Sequence, residues 1–303
     1  MHNLKTNFNK FLQITKSVLS DHLLSDGNFK KYSNKPKFTD IELVILAITS
    51  ECLGIDSENL LFSKLKSEYK SDFPTLLDRS NFNRRRKLLQ EFIALVMEPI
   101  AQLISKNNDQ FILDSIPIPI CQNPGILRSK ICKDVLDYLP ARGYHASHNV
   151  RYFGYKLQLV VSKAGVPISL GLTAANVHDV HYLNHLTSQQ LNHCELIADK
   201  GYLSEGHQTS LFHEFKISLI TPLRANMVKR KSSWNGYYRY TRKRIETQFS
   251  QLCDQLYLKR NYAKTLNGLF TRIWTKITSV AILQYVNFLN NKPINNLKHA
   301  LAY

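Results

Sequence analysis

The chain reads as a mixed α+β protein: an all-helical N-terminal third, then a mixed sheet with helices packed on it. Three observations lead there. Apolar residues recur at helical spacing over residues 1 to about 105, beginning with Leu4, Phe8, Phe11 or Leu12, Leu19 and Leu23. From about residue 108, strand-like runs alternate with helical stretches in the order strand, strand, strand, helix, strand, helix, strand, helix. With 303 residues, 44% of them hydrophobic, the chain can bury a real core and is long enough for two domains.

In the N-terminal part, Thr39-Asp40-Ile41-Glu42 fits a capping box and predicts a helix to about Leu53. Asp56-Ser57 caps another short helix, and Phe73-Pro74 closes that region. Ser80 is expected to cap one long helix through Ile104, with Leu88, Phe92 and Leu95 on one face. Its first turns carry Arg84-Arg85-Arg86-Lys87, the pattern of a recognition helix that touches phosphates or base edges.

In the second part, the run from Gln110 to Ile116 is a short strand ended by Pro117 and Pro119. Tyr155 to Val161 partly alternates, and Lys163-Ala164-Gly165 turns the chain into a strand from Val166 to Thr173. Asp179 is placed to cap a helix through about Leu191. Glu195 to Asp199 is the next strand, Lys200-Gly201-Tyr202 leads to a helix near Ser204, and Lys216 to Thr221 is the last strand. A helix near Thr241–Leu256 and one or two helices over Lys264–Leu289 close the chain.

Forty Lys and Arg against 23 Asp and Glu leave a formal charge of +17, which calls for a polyanionic partner, most commonly nucleic acid. The charge is clustered. Eight cations and no acid lie between Arg224 and Arg244, among them Lys229, Arg230, Lys231, Arg242 and Lys243, with Trp234, Tyr237, Tyr238 and Tyr240 interleaved. Basic and aromatic residues together suit single-stranded or distorted DNA. The five cysteines are odd in number, irregular in spacing and without a C-x-x-C, which points to a reducing, cytoplasmic compartment. The apolar stretches Ile41–Ile55 and Ile277–Leu289 are interrupted and fall short of the roughly 18–20 residues of a membrane span. No Gly-x-x-x-x-Gly-Lys pattern supports an ATP-driven mechanism. Cys121, Cys132, His145 and His148 could together suit zinc, but their spacing is not that of a finger.

Three carboxylates carry candidate chemistry. Asp114 lies inside an apolar strand and Asp199 ends one, settings where an ionised carboxylate is costly unless paired or bound to a metal. Glu246 flanks the buried stripe Ile245, Phe249, Leu252 and Leu256, with Arg242 one turn before it. Each could equally be a structural acid. Two strands and a helix that converge three carboxylates make a site for Mg²⁺, which takes oxygen ligands, and two such ions catalyse phosphoryl transfer.

Ile112-Leu113-Asp114-Ser115, Gly154-Tyr155-Lys156-Leu157, Leu172-Thr173-Ala174-Ala175-Asn176-Val177-His178-Asp179, Ile197-Ala198-Asp199-Lys200-Gly201-Tyr202 and Arg242-Lys243-Arg244-Ile245-Glu246 follow one another in this order. The series resembles the successive blocks of DDE transposases of bacterial insertion sequences, and within them the family named after insertion sequence 982. The resemblance covers about 110 to 260. It implies a ribonuclease-H-like catalytic domain over 108–303, with an insertion at 117–150 and C-terminal helices, behind a helix-turn-helix-like DNA-binding region at 1–107. It implies Asp114, Asp199 and Glu246 as the catalytic, metal-binding triad for Mg²⁺ (or Mn²⁺), with two ions expected. It also implies DNA strand cleavage and strand transfer at terminal inverted repeats.

The partners expected are double-stranded DNA, as element ends and target, and further copies of the chain in a dimer or larger synaptic assembly. No membrane and no small-molecule cofactor are expected. Lys200 and Tyr202 are placed to reach a phosphate and stack on a base, Tyr202 equally to pack on the sheet, and His178 and Arg242 to support the triad from behind. Related families often carry a Tyr three residues before the Arg and a Lys seven after the Glu; here those positions are Arg239 and Cys253. The rival functions are a DNA-binding repressor without turnover and a nuclease that cuts without joining.

Overall fold

The computed structural model describes residues 3–106, 108–121, 125–145, 149–186, 191–224, 227, 234–260 and 262–302. In chain order the helices α1 (Leu4–Val18), α2 (Asp40–Cys52), α3 (Glu58–Glu68), α4 (Arg79–Leu88) and α5 (Gln90–Ile104) precede the strands β1 (Gln110–Cys121), β2 (Ala141–His145), β3 (Val150–Ser162), β4 (Pro167–Ala174) and β5 (Cys194–Ala198). Then come α6 (Glu205–Phe215), β6 (Ile217–Ile220), α7 (Gly236–Asp254) and α8 (Leu266–Leu289). The chain divides into two compact units, one of Met1–Ile104, Leu252–Tyr262 and Asn267–Tyr303, the other of Ser105–Gln251 and Ala263–Leu266.

The first unit is helical. The capping box is formed as expected: the Thr39 hydroxyl accepts from the Glu42 N–H, and the Glu42 carboxylate accepts from the Thr39 N–H at 2.8 Å. Ser57 caps α3. The long helix expected from Ser80 is two helices instead. Asp78 caps the first, through the Asn81 N–H at 3.0 Å. The chain leaves helical geometry at Leu89, which is buried, so the apolar face of α5 becomes Ile93, Val96, Met97 and Ile100 while Leu88 stays exposed. Residues 53–57 separate α2 from α3 and 69–78 separate α3 from α4, longer links than the three- to four-residue turn of a helix-turn-helix.

The closing helix α8, which the sequence suggests as part of the sheet domain, belongs to this helical unit. The reason is its side chains. Residues from Gly268 to Asn287 are buried almost all round, as in a helix enclosed by others. Its buried cation Lys276 donates to the Glu51 carboxylate and to the Leu256 carbonyl, and Arg272 donates to the Asp56 carbonyl at 2.7 Å. Thr278 bonds the Ile93 carbonyl and Ser279 the Ile48 carbonyl. No described helix is long and apolar enough to cross a membrane.

The second unit is built on one sheet of order β2-β3-β1-β5-β6, with β4 also paired to β3. β1, β3 and β4 are antiparallel neighbours, whereas β1, β5 and β6 run parallel. This is the ribonuclease-H-like mixed sheet expected, with α6 and a 3-10 turn at Asp179–His185 covering one face through Leu211, Tyr182 and Leu183. β1 runs through Pro117 and Pro119 to Cys121 rather than ending at them. Its odd-numbered residues face the β5 edge, as the Glu195 N–H bonding to the Asp109 carbonyl shows, and β5 pairs β1 only as far as Leu113. The donors that the two prolines lack therefore fall on an edge with no ladder to break.

Opposite Pro119 stands Gly154, with φ +154; a Cβ there would lie 2.2 Å from the Ile118 carbonyl oxygen. Gly154→Ala is expected to lower stability by more than about 1 kcal/mol, read from the urea midpoint, because the backbone cannot yield between two paired strands.

Candidate active site

The register pairs Leu113 of β1 with Ala198 of β5. Asp114 and Asp199 are the next residues, so they leave the end of this ladder side by side, on the face that Ile112 and Ile197 share. Asp114 is nearly enclosed, its side chain 14% exposed, and its Oδ1 accepts the Ser115 N–H at 2.8 Å. Asp199 is half-buried at the start of the 3-10 turn Lys200–Tyr202.

The third acid arrives on α7. The start of that helix is tied to the start of the parallel strands. The Tyr237 hydroxyl donates to the Gln110 side chain, the Tyr238 hydroxyl to Glu195 at 3.3 Å, and Gln110 and Glu195 bond each other at 2.7 Å. From Gln110 to Asp114 a strand advances about 13 Å, and from Tyr237 to Glu246 a helix advances about 13.5 Å. The two distances match, so Glu246 reaches the level of Asp114. Ile245, Phe249, Leu252 and Leu256 are all buried, as their spacing predicts.

Arg242 ties the acids together. One of its guanidinium nitrogens donates to Asp114 Oδ2 at 2.7 Å and another to Glu246 Oε1 at 2.9 Å. Burial works against the charge of Arg242, but Asp114, Asp199 and Glu246 overcome it and its pKa rises. Burial pushes the Asp114 carboxyl up to about 6; Arg242 and the Ser115 N–H pull it down, and the charge of Asp199 pushes it up again. Three carboxylates, from β1, the residue after β5 and α7, thus act on a single guanidinium.

A second polar system lies on the other face of the sheet. Gln158 of β3, fully buried, accepts from the Tyr202 hydroxyl and donates to Asp179 at 3.0 Å, while Lys156 pairs with Asp179 at 2.6 Å. The chain Tyr202–Gln158–Asp179–Lys156 therefore ties the turn that follows Asp199 to β3.

The model of the family described as transposase DDE domain matches residues 106–282, more than half of the chain. The chain belongs to the transposase DDE domain family. No curated protein and no solved structure matches it.

In this transposase-family chain the other expected site residues separate. Arg84 and Lys200 are exposed, Lys87 is partly so, and Lys243 is exposed on α7. Arg85 and Arg86 are not free for DNA: Arg85 pairs with buried Asp40 at 2.6 Å, and buried Arg86 pairs with Glu58 at 3.0 Å. A charge run on a short helix places only some of its members outward, and here the inner two met buried acids. Lys229, Arg230 and Lys231 lie outside the described residues, as does His148.

Tyr202 does not offer its ring to a base. It is 1% exposed and packs on the sheet with Tyr182 and Leu196. Tyr202→Phe is expected to cost about 1–3 kcal/mol, because the Gln158 oxygen loses its donor in a buried site, and to leave DNA affinity unchanged. A thermal melt and a fluorescence-anisotropy titration on the same sample check both halves.

His178 is exposed, and its Nδ1 accepts the Val180 N–H as a cap for the 3-10 turn. Asp179, expected as a helix cap, serves the buried network instead; the start of the expected helix is a 3-10 turn over Asp179–His185, and residues 187–190 lie outside the described residues. Lys156 and Gln158 carry no sequence expectation of their own, although Lys156 lies within a block quoted for the family resemblance.

The donor set fits a hard divalent cation: three carboxylates, all oxygen, with charge enough to hold a buried guanidinium. Among the described residues no three His, Cys, Asp or Glu side chains are arranged to hold one metal ion. The oxygens of Asp114 and Glu246 face Arg242 rather than a common point between them.

Proposed function

We propose that this member of the transposase DDE domain family cuts DNA at the ends of an insertion sequence and joins the released 3′-hydroxyl to target DNA. Asp114, Asp199 and Glu246 are the catalytic carboxylates. The observation that carries the reading is the shared guanidinium: Arg242 is bound by Asp114 of β1 and Glu246 of α7 and lies within the field of Asp199. Within the family we place the chain beside the group named after insertion sequence 982, on the Ala198-Asp199-Lys200-Gly201-Tyr202 and Arg242-x-x-x-Glu246 blocks.

Asp114, Asp199 and Glu246 would hold Mg²⁺ (or Mn²⁺), two ions being expected, and the bound metal would supply the positive charge that phosphoryl transfer needs at the attacking and leaving oxygens. The chain's own residues do the rest. Asp114 and Asp199 directly follow the last residues paired between β1 and β5 and set a rigid base for the site. Glu246 is 53% exposed on its side chain and can turn toward DNA without unpacking α7. Arg242, once released by the acids, presents a planar fork suited to a phosphate. Lys200 and Lys243 flank the acids and attract the strand, and Arg84 and Lys87 of the helical unit contact duplex DNA at the element end. The working form is a dimer or larger assembly that holds two ends at once, in the cytoplasm.

The test incubates the purified chain with labelled element-end DNA and Mg²⁺ and reads cleavage and joining together. Both products are expected. Cleavage without joining makes the protein a nuclease, and binding without cleavage makes it a repressor; either result defeats the proposal.

A further inference from the structure

The insertion between β1 and β3 plays no part in the site described above. Its strand β2 forms an antiparallel hairpin with the start of β3 that sets Tyr144 opposite Arg151 and Gly143 opposite Tyr152. Between this hairpin and the end of β4 lies a cleft of about 920 Å³. Its polar lining is Arg142, Tyr144, Asn149, Arg151, Tyr152 and Asn176, and no described lining residue is acidic. The Tyr144 ring is 58% exposed, and its hydroxyl donates to the Asn149 side chain at 2.8 Å, which fixes how the ring stands.

The wall of the cleft is closely built. A Cβ on Gly143 would lie 2.8 Å from both the Cβ and the carbonyl oxygen of Ala175 and 2.9 Å from the Tyr152 ring. Only glycine allows the hairpin to come so near the residues that follow β4.

We propose that this cleft binds one strand of DNA, with Arg142 and Arg151 on its phosphates and a base stacked on Tyr144. The inference rests on the reading of the chain as a transposase that works on DNA. Two cations, with no acid among the described lining residues, select a polyanion, and the ring of Tyr144 opposite Arg151 selects one with exposed planar groups. A cleft of this volume falls in the range of roughly 300–1,000 Å³ that encloses a molecule of nucleotide size. A duplex keeps its base faces stacked on one another, so the free Tyr144 face suits a strand that has been opened. The amides of Asn149 and Asn176 add donors and acceptors for base edges.

The test uses the full chain, a fluorescein-labelled single-stranded oligonucleotide and the duplex of the same sequence, titrated by anisotropy at several salt concentrations. The variants are Arg142→Ala with Arg151→Ala, Tyr144→Ala, Tyr144→Phe, and Lys298→Ala as a remote control. Thermal melts verify that each is folded.

Loss of both arginines is expected to weaken single-strand binding and to flatten the salt dependence by about 1.4 in the log–log slope, at roughly 0.7 per phosphate contact. Tyr144→Ala is expected to weaken it by about 5- to 150-fold, the range for one lost stack. Tyr144→Phe keeps the ring and retains the affinity. Duplex binding is expected to move far less in every variant.

If wild type binds and cuts DNA while the arginine variant keeps wild-type affinity and slope, or Tyr144→Ala keeps wild-type affinity, the inference fails and the proposed function stands. Equal losses for duplex and single strand overturn the choice of a single strand. Wild-type protein that neither binds nor cuts DNA removes both readings.

Discussion

Asp114→Asn is expected to abolish Mg²⁺-dependent DNA cleavage, by at least about a thousandfold, and yet to leave the metal-free protein at least as stable as wild type. The catalytic loss follows from the removal of a charged oxygen ligand, worth several kcal/mol at the transition state, with 1.36 kcal/mol to each factor of ten. The stability follows from the cost of burying the same charge when no metal is supplied. In the fold, burial raises the Asp114 pKa from 3.8 to about 6 despite its pairing with Arg242. Between those two values the folded state keeps a proton that the unfolded chain has lost. The residue's contribution to stability therefore falls as pH rises through that window and stays low at neutral pH. Asparagine does not ionise and is spared this cost, on the order of 1–3 kcal/mol. Urea unfolding in a chelating buffer, at pH 4.5 and pH 7.5 by design, checks the sign: the variant's advantage is expected only at the higher pH, since the wild-type carboxyl is largely neutral at the lower one. A variant that is both inactive and markedly less stable at neutral pH would show that Asp114 is a structural acid.

The second large effect lies in the helical unit. Lys276 and Glu51 are each 2% exposed on their side chains and bond each other directly. Lys276→Met is expected to destabilise by about 3–5 kcal/mol, because it leaves the Glu51 carboxylate buried without its partner. Arg272, 4.0 Å from the other carboxylate oxygen, softens the loss but is too far to replace the bond. Adding Glu51→Gln to the same chain removes the stranded charge and is expected to recover more than half of the lost stability. Recovery marks a charge effect. If the double variant is as unstable as the single one, the loss comes from packing around α8 instead.

What the sequence made legible follows from the range of the forces involved. The capping box at Thr39, the cap at Ser57 and the stripe of α7 are set by neighbours a few residues away, and they were readable. The neighbourhood of Asp114 and Asp199 was readable too, because each follows a plain apolar run, Phe111–Leu113 in β1 and Leu196–Ala198 in β5, and those runs pair. Burial of individual cations was not. Arg85 and Arg86 look like Arg84 in sequence, and only the positions of Asp40 and Glu58 decide that two of the three point inward. Tyr202 follows the same rule: its hydroxyl finds Gln158 across 44 residues, so a ring that reads as a base platform is part of the core. Pro117 and Pro119 are strand breakers locally and harmless here, because β5 stops pairing before it reaches them. The place of α8 was hidden for a similar reason. Its partners Glu51 and Asp56 lie more than two hundred residues earlier.

The claim at the centre of this account is that Asp114, Asp199 and Glu246 form one divalent-metal site for DNA chemistry. The most direct measurement is Mn²⁺ binding followed by electron paramagnetic resonance, on wild type and on Asp114→Asn, Asp199→Asn and Glu246→Gln, each with element-end DNA bound. The account predicts Mn²⁺ bound by wild type and displaced by Mg²⁺, with binding weakened in every one of the three variants. Undiminished Mn²⁺ binding in all three, with DNA still bound, would contradict it.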